Sequence, residues 1–161
     1  MASNVFCKVD GIPGESSDDK HADYFEVLSF NHGLKQDSAG SVSGTGGFTS
    51  GRVSHEPFTV VKSLDKATTK LAMACSKGDH IKEVIVECWR HIGENSKFME
   101  YKMSDCVVRS VYPTGGSEGI PTETVAISYA KIEWKYTQFD NKGKKKGEVA
   151  GCWDCEKNKA C

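Results

Sequence analysis

The stretch that decides the fold is TVAISYAKIEWKYTQF, Thr124–Phe139. Ala126, Ser128, Ala130, Ile132, Trp134 and Tyr136 alternate with Val125, Ile127, Tyr129, Lys131, Glu133 and Lys135. A period of two is that of a pleated strand, whose successive side chains point to opposite faces. Large apolar side chains fall on both faces, more than a monomeric barrel needs, and the second apolar face predicts a buried contact with another subunit.

Outward from this run the same period recurs. In His80–Ile92, Val84, Val86 and Cys88 share a face with Lys82 and Arg90 at its ends, while Ile81, Glu83, Ile85, Glu87 and Trp89 take the other. Phe98–Tyr112 puts Tyr101, Met103, Val107 and Val111 on one side. Nearer the N-terminus, Asn4–Val9 is short and is broken by Gly11, Pro13 and Gly14. Tyr24–Leu34 is β-rich, and Arg52–Leu64 carries Pro57, which marks a bulge or an edge. One segment departs from this period: Ala67, Leu71, Ala74 and Cys75 fall at i, i+4, i+7 and i+8, one helix face, with Asp65 as expected N-cap and Gly78 as expected stop. No internal repeat is visible. These elements predict one mainly β (α+β) domain over 1–161, two antiparallel sheets forming a β-barrel with a single helix at its side.

The totals narrow the function classes. A chain of 161 residues fits one domain that buries roughly two-thirds of its unfolded surface. With 21 basic and 22 acidic side chains the net charge is -1, so no overall field draws it to nucleic acid or an anionic membrane. No apolar run approaches the ~20 residues of a bilayer span. The N-terminus lacks a basic segment followed by an apolar stretch, so folding in the cytoplasm is expected, with any exit by a route that needs no cleavable signal.

Three segments stand apart. Residues 37–51, DSAGSVSGTGGFTSG, are too poor in apolar side chains to order themselves. They read as an extended surface loop, or as an arm that orders against another subunit through Gly46, Gly47 and Phe48. Asn141–Gly147, NKGKKKG, reads as a solvated basic turn without the interleaved aromatics of a nucleic-acid binder. The remainder of the 141–161 tail holds Cys152, Cys155 and Cys161. Cys152–Cys155 has the C-x-x-C form, but zinc needs a second pair and a redox pair belongs at a helix start. The three read as exposed thiols free to cross-link on oxidation. Cys7, Cys75, Cys88 and Cys106 read as small core residues, and an odd total of seven argues against a complete disulfide framework.

For chemistry the candidate is Glu15, Asp18, Asp19, Asp23 and Glu26 with His21. The spacing does not fit a Ca²⁺ loop, which needs carboxylates at alternate positions and a late bidentate Glu. An acid-base pair is compatible with it, and so is a solvated turn into a strand. His21, His32, His55, His80 and His91 lack metal-ligand spacing, and the glycine pairs lack a phosphate-cradle context. No metal ligand, cofactor or catalytic residue is assigned. A small β-barrel enzyme or ligand or metal binder using residues 15–26 with His21 is kept as the alternative.

Gly14-Glu15-Ser16 with Asp18, Lys20 and His21, the strand FEVLSF, the run KSLDKATTKLAMACSKGDH, the stretch VVRSVYPTGGSEGIPTETVAISYAKIEWKY and the tail Trp153 follow in order. Together they resemble the hemolysin-coregulated protein (Hcp) family, the inner-tube subunits of bacterial type VI secretion systems. The likeness spans nearly the whole chain, and the cluster Cys152, Cys155 and Cys161 departs from it. The resemblance implies a homohexameric ring with a central hole and stacking into a tube that is exported. It also implies small secreted effectors in the lumen, partnership with spike, sheath and baseplate proteins, and no catalysis. Within that frame Ser29 and Asn31, small polar residues on one strand face, are expected to line the hole.

Overall fold

The computed structural model describes residues 3–39 and 49–161, without the side chains of 37–39 and 49–50. The expected subunit contact at Gly46, Gly47 and Phe48 lies outside the described residues. The elements are β1 (Ser3–Val9), β2 (Phe25–Val27), β3 (Ser29–Asn31), β4 (Leu34–Ala39), β5 (Thr49–His55) and β6 (Phe58–Ser63). Helix α1 (Ala67–Lys77), β7 (His80–Ile92), β8 (Glu94–Thr114), β9 (Thr122–Phe139), β10 (Lys145–Asp154) and β11 (Lys159–Ala160) follow.

The described ladders are all antiparallel. The main sheet runs β11-β10-β9-β8-β7-β1-β2, and β6 joins both β9 and β3. Leu28 N donates to Val61 O at 2.8 Å, drawing the β2–β3 corner onto β6. The strands therefore wrap into a barrel-like body that no continuous ladder closes. Helix α1 lies against β8 and buries Ala67, Leu71 and Ala74. It ends at Gly78, φ 66°, a left-handed position that glycine takes without steric cost. Lys66, not Asp65, occupies the N-cap; Asp65 sits one residue earlier, and its Oδ1 accepts the Ala67 N–H at 2.9 Å.

Strand β9 is the frame. Its first half pairs with β6, from Thr122↔Ser63 to Ile127↔Phe58, and its second half with β10, from Lys131↔Asp154 to Phe139↔Lys145. The buried side changes along it. Val125 and Ile127 are buried in the first half and Ile132 in the second, so the inward side switches near Ala130. The two apolar faces read from the sequence thus serve one core in turn, and Tyr136 beyond the switch is left exposed. Level with Ala130 on β8 stands Asp105 at φ 51°, and there the alternation of β8 also slips. Met103, Cys106 and Val108 are buried, while Val107, expected inward, is half-exposed.

Four further expectations change. Tyr24–Leu34 is broken into β2 and β3, and Arg52–Leu64 into β5 and β6 with Glu56-Pro57 between them, since proline has no N–H to extend a ladder. The ends of the 37–51 loop are strands: β4 and β5 form a separate two-stranded ribbon paired from Leu34↔His55 to Ala39↔Thr49. The basic turn read at Asn141–Gly147 is shorter, since β10 begins at Lys145, and the tail beyond it carries β10 and β11. Cys7, Cys88 and Cys106 are buried and Cys75 is half-buried. Burial pushes the Cys88 thiol up to about 11 and the Cys106 thiol to about 12, which leaves them unreactive core groups.

Candidate functional site

The acidic segment is a plug. Gly14 N donates to Asp23 O at 3.0 Å and Ser16 N to Tyr24 O at 2.9 Å, so the segment doubles back on itself. A Cβ at Gly14 would sit 2.5 Å from Tyr24 O, which only glycine avoids. His21 is 4% exposed. It stacks on Phe6 with ring centroids 4.1 Å apart and meets Tyr24 and Trp89 edge-on. Its Nδ1 bonds Asp18 Oδ1 at 2.8 Å and its Nε2 lies 3.5 Å from Glu87 Oε1. The hydrogen bond from His21 holds the Asp18 carboxyl below its ordinary range. The neighbouring cavity is about 10 Å³, about the space of one water and too small for a substrate. Glu15 is used elsewhere: its Oε1 accepts the Lys66 N–H at 2.8 Å, at the start of α1. Asp18 positions an imidazole and Glu15 a helix end; Glu15 and Glu26 also line a surface cavity of about 200 Å³ beside Leu28, Leu64 and Asp65, and among the described residues no cluster of three His, Cys, Asp or Glu is arranged to hold a metal.

A polar network missed at the sequence level sits beside α1. Lys62, 1% exposed, and Glu123, 0% exposed, are cross-strand partners on β6 and β9 and form an ion pair. Lys62 Nζ also donates to Asp65 Oδ1 at 2.9 Å, and Thr68 Oγ1 donates to Glu123 Oε1 at 3.0 Å. The signal was present: Lys62 keeps the phase of buried Phe58 and Val60, and Glu123 that of Val125 and Ile127. Opposite charges at core-phase positions on neighbouring strands call for each other.

Ser29 and Asn31 are exposed on β3, while Phe30 between them turns in against Phe58, centroids 5.6 Å apart. Where β3 leads into the ribbon, His32 Nε2 and His55 Nδ1 bond the same Tyr129 hydroxyl, at 2.7 and 2.8 Å. Burial lowers both imidazoles' pKa values and raises that of Tyr129. The phenol keeps its proton, so it donates to one ring nitrogen and accepts from the other. Above this junction a cleft of about 470 Å³ separates ribbon from wall, lined by Leu34, Val53, His55, Trp134 and Trp153. At the tail, Cys152 and Cys161 are bonded to each other and Cys155 is free.

Among the described residues no catalytic constellation emerges; they present a wall, a ribbon and several exposed large apolar side chains, Met73, Tyr112 and Ile120 among them. Leu28 and Leu64 flank the β2–β3 corner, whereas Tyr136 and Val149 are cross-strand neighbours on β9 and β10. No helix among the described residues is long and apolar enough to cross a membrane.

The comparisons with known proteins agree. The family model described as type VI secretion system effector, Hcp, matches residues 6–136. Protein hcp1 of Pseudomonas aeruginosa is 32% identical over 162 residues, with 98% of each chain covered. A solved structure of a type six secretion system protein superposes with a TM-score of 0.93 at 31% identity, covering 99% of this chain and 100% of its own. Hcp1 from Salmonella typhimurium gives 0.82 at 30% identity with 100% of both chains covered. The alternative of an enzyme built on residues 15–26 is not supported. The chain belongs to the Hcp family: it is a secreted structural tube subunit of a type VI secretion system, not an enzyme.

Proposed function

We propose that six copies close head-to-tail into a ring, that rings stack into the exported tube, and that Ser29 and Asn31 line the hole. Folded in the cytoplasm, the subunit joins spike, sheath and baseplate proteins and leaves through the machine with small effectors in the lumen. The observation that carries the reading is that exposed apolar side chains lie in separate places, two of which differ in make-up. A heterologous interface needs two different patches, one from each neighbour, and a closed rotation turns that contact into a ring. Leu28 with Leu64 is one patch, and Tyr136 with Val149 is the other. The lining is supported by β3, where two small polar side chains face out while Phe30 anchors the strand to the core.

Light scattering in reducing buffer tests the ring, with six copies of 17.6 kDa giving about 106 kDa. A 17.6 kDa species at every concentration would refute it. Asn31→Trp tests the lining: the variant should still reach the ring mass and lose co-secretion of a small effector. If that effector rides with Asn31→Trp rings as with the wild type, the lining is wrong.

A further inference from the structure

The tail beyond β10 is bound to the body at one end and by one bond at the other. Cys155 N donates to Ala130 O at 2.8 Å, continuing the β9–β10 ladder. After that the chain turns away, and residues 156–161 are exposed. Strand β11 is two residues long, paired only as Trp153↔Ala160 and Asp154↔Lys159. A strand that short, exposed and terminal frays on its own. What closes it is the Cys152–Cys161 bond, Cα–Cα 5.3 Å, with Cys161 N on Cys152 O at 3.2 Å.

This hairpin holds the ribbon. Arg52 on β5 aims its Nη2 at Cys155 O, 2.6 Å, and Glu156 O, 3.3 Å. Asn158, in the same turn, lines the cleft facing Leu34 and Val53. Among the described residues the ribbon shares no ladder with the main sheet. Its base is fixed by His32 and His55 on Tyr129, and farther out it meets the body through Arg52 and the cleft side chains. Order in 155–158 therefore sets how firmly the ribbon is held.

We propose that Cys152 and Cys161 form a clasp that closes after export and stiffens the ribbon against the wall of the exported subunit. This rests on the reading that the chain folds inside the producing cell and then leaves it. Inside, glutathione and thioredoxin keep both groups as thiols. Outside, a low-molecular-weight disulfide is the oxidant. The Cys152 thiolate attacks one of its sulfurs, forming a mixed disulfide and releasing one small thiol. The Cys161 thiolate then attacks the Cys152 sulfur, forming the protein bond and releasing the second. Two electrons and the two protons lost by the cysteines end on the two small thiols. Cys155 stays out of the exchange: the fold sets Cys161 beside Cys152 and leaves Cys155 unbonded and half-buried, and burial with the charge of Asp154 raises its pKa.

The test uses the full chain in two settings. In vitro, protein held in dithiothreitol is compared with protein treated with oxidised glutathione. The oxidised sample should show a Cys152–Cys161 linked peptide and a free Cys155. Amides of 156–160 and 51–54 should exchange at least about fivefold more slowly than in the reduced sample. Cys152→Ser with Cys161→Ser should exchange fast under both conditions, and Cys155→Ser should behave as the wild type. Equal exchange at 51–54 in both redox states overturns the proposal, as does linkage through Cys155. So does reduced protein that binds one equivalent of zinc chloride with loss of its titratable thiols. In vivo, rapid alkylation should find thiols at 152 and 161 in cells and the bond in the medium. A bond already formed in cells overturns the clasp, whereas absence of the chain from the medium overturns the export reading instead. Ring mass measured on the same samples reports on assembly separately.

Discussion

Removing the cation from the buried Lys62–Glu123 pair should be among the most damaging single changes this chain can suffer. In Lys62→Met the Glu123 carboxylate stays fully buried. It keeps only the Thr68 hydroxyl on Oε1, and Oε2 has no hydrogen-bond partner among the described residues. An uncompensated buried charge left by removing one partner costs about 3–5 kcal/mol. With a urea slope of about 2 kcal/mol/M, the unfolding midpoint should fall by about 1.5–2.5 M. In Lys62→Met/Glu123→Leu both charges go and the volume is roughly kept. Asp65, its side chain 12% exposed, loses Lys62 but retains the Ala67 N–H, so it keeps a hydrogen-bond partner. The double variant should return to within about 1 kcal/mol of the wild type, because an apolar pair of similar size is often neutral against a buried ion pair. The assay is urea unfolding followed by tryptophan fluorescence, in reducing buffer at one fixed protomer concentration, since assembly shifts apparent stability. A Lys62→Met midpoint within 0.5 M of the wild type, on the order of 1 kcal/mol at that slope, would show that the carboxylate is solvated or paired elsewhere. A double variant no better than the single would show that the network's geometry, not its charge, is what matters.

Two other outcomes follow from the acidic segment. Gly14→Ala places a methyl 2.5 Å from Tyr24 O and 2.7 Å from Phe25 N, backbone atoms that cannot step aside. About 2 kcal/mol should be lost, lowering Tm by about 4–8 °C, and an unchanged Tm would refute the close approach. Asp18, whose carboxyl is held below its ordinary 3.8 chiefly by the His21 hydrogen bond, contributes stability that is complete above that unfolded value. It is lost as pH falls through the lower folded one. Acid titration from about pH 5 to about pH 2 should loosen the plug, seen as a change in Trp89 environment beside His21. Asp18→Asn should flatten that component, and a variant with the full wild-type acid transition would refute the assignment.

What was legible in the sequence was whatever repeats. The period-two runs gave the strands β7, β8 and β9, and the spacing of Ala67, Leu71 and Ala74 gave the helix, because burial on one face leaves its period in the chain. What was illegible were changes of phase. Asp105 at φ 51° and the switch of side at Ala130 invert the meaning of every alternating residue beyond them, and a linear pattern does not mark where they fall. The ribbon was hidden because β4 and β5 hold together through backbone pairing, with no apolar alternation to announce it. The acidic segment misled in the opposite sense. Five carboxylates and a histidine look like chemistry on paper, and His21 becomes a buried plug only because Phe6, Trp89 and Glu87 arrive from strands distant in sequence. The family resemblance reached the function by a different path, through the order of several short motifs.

The division of β9 between β6 and β10 also constrains how a nascent chain leaves the ribosome. Strands β1–β2, β3–β6 and β4–β5 pair within the first sixty-odd residues, but β1 also waits for β7 and β6 for β9. Strands β7 to β11 form a continuous meander of sequence neighbours, and local pairing of that kind closes first. The edge that β6 presents is therefore left open until β9 has been made, so the barrel-like wrap is completed late in synthesis.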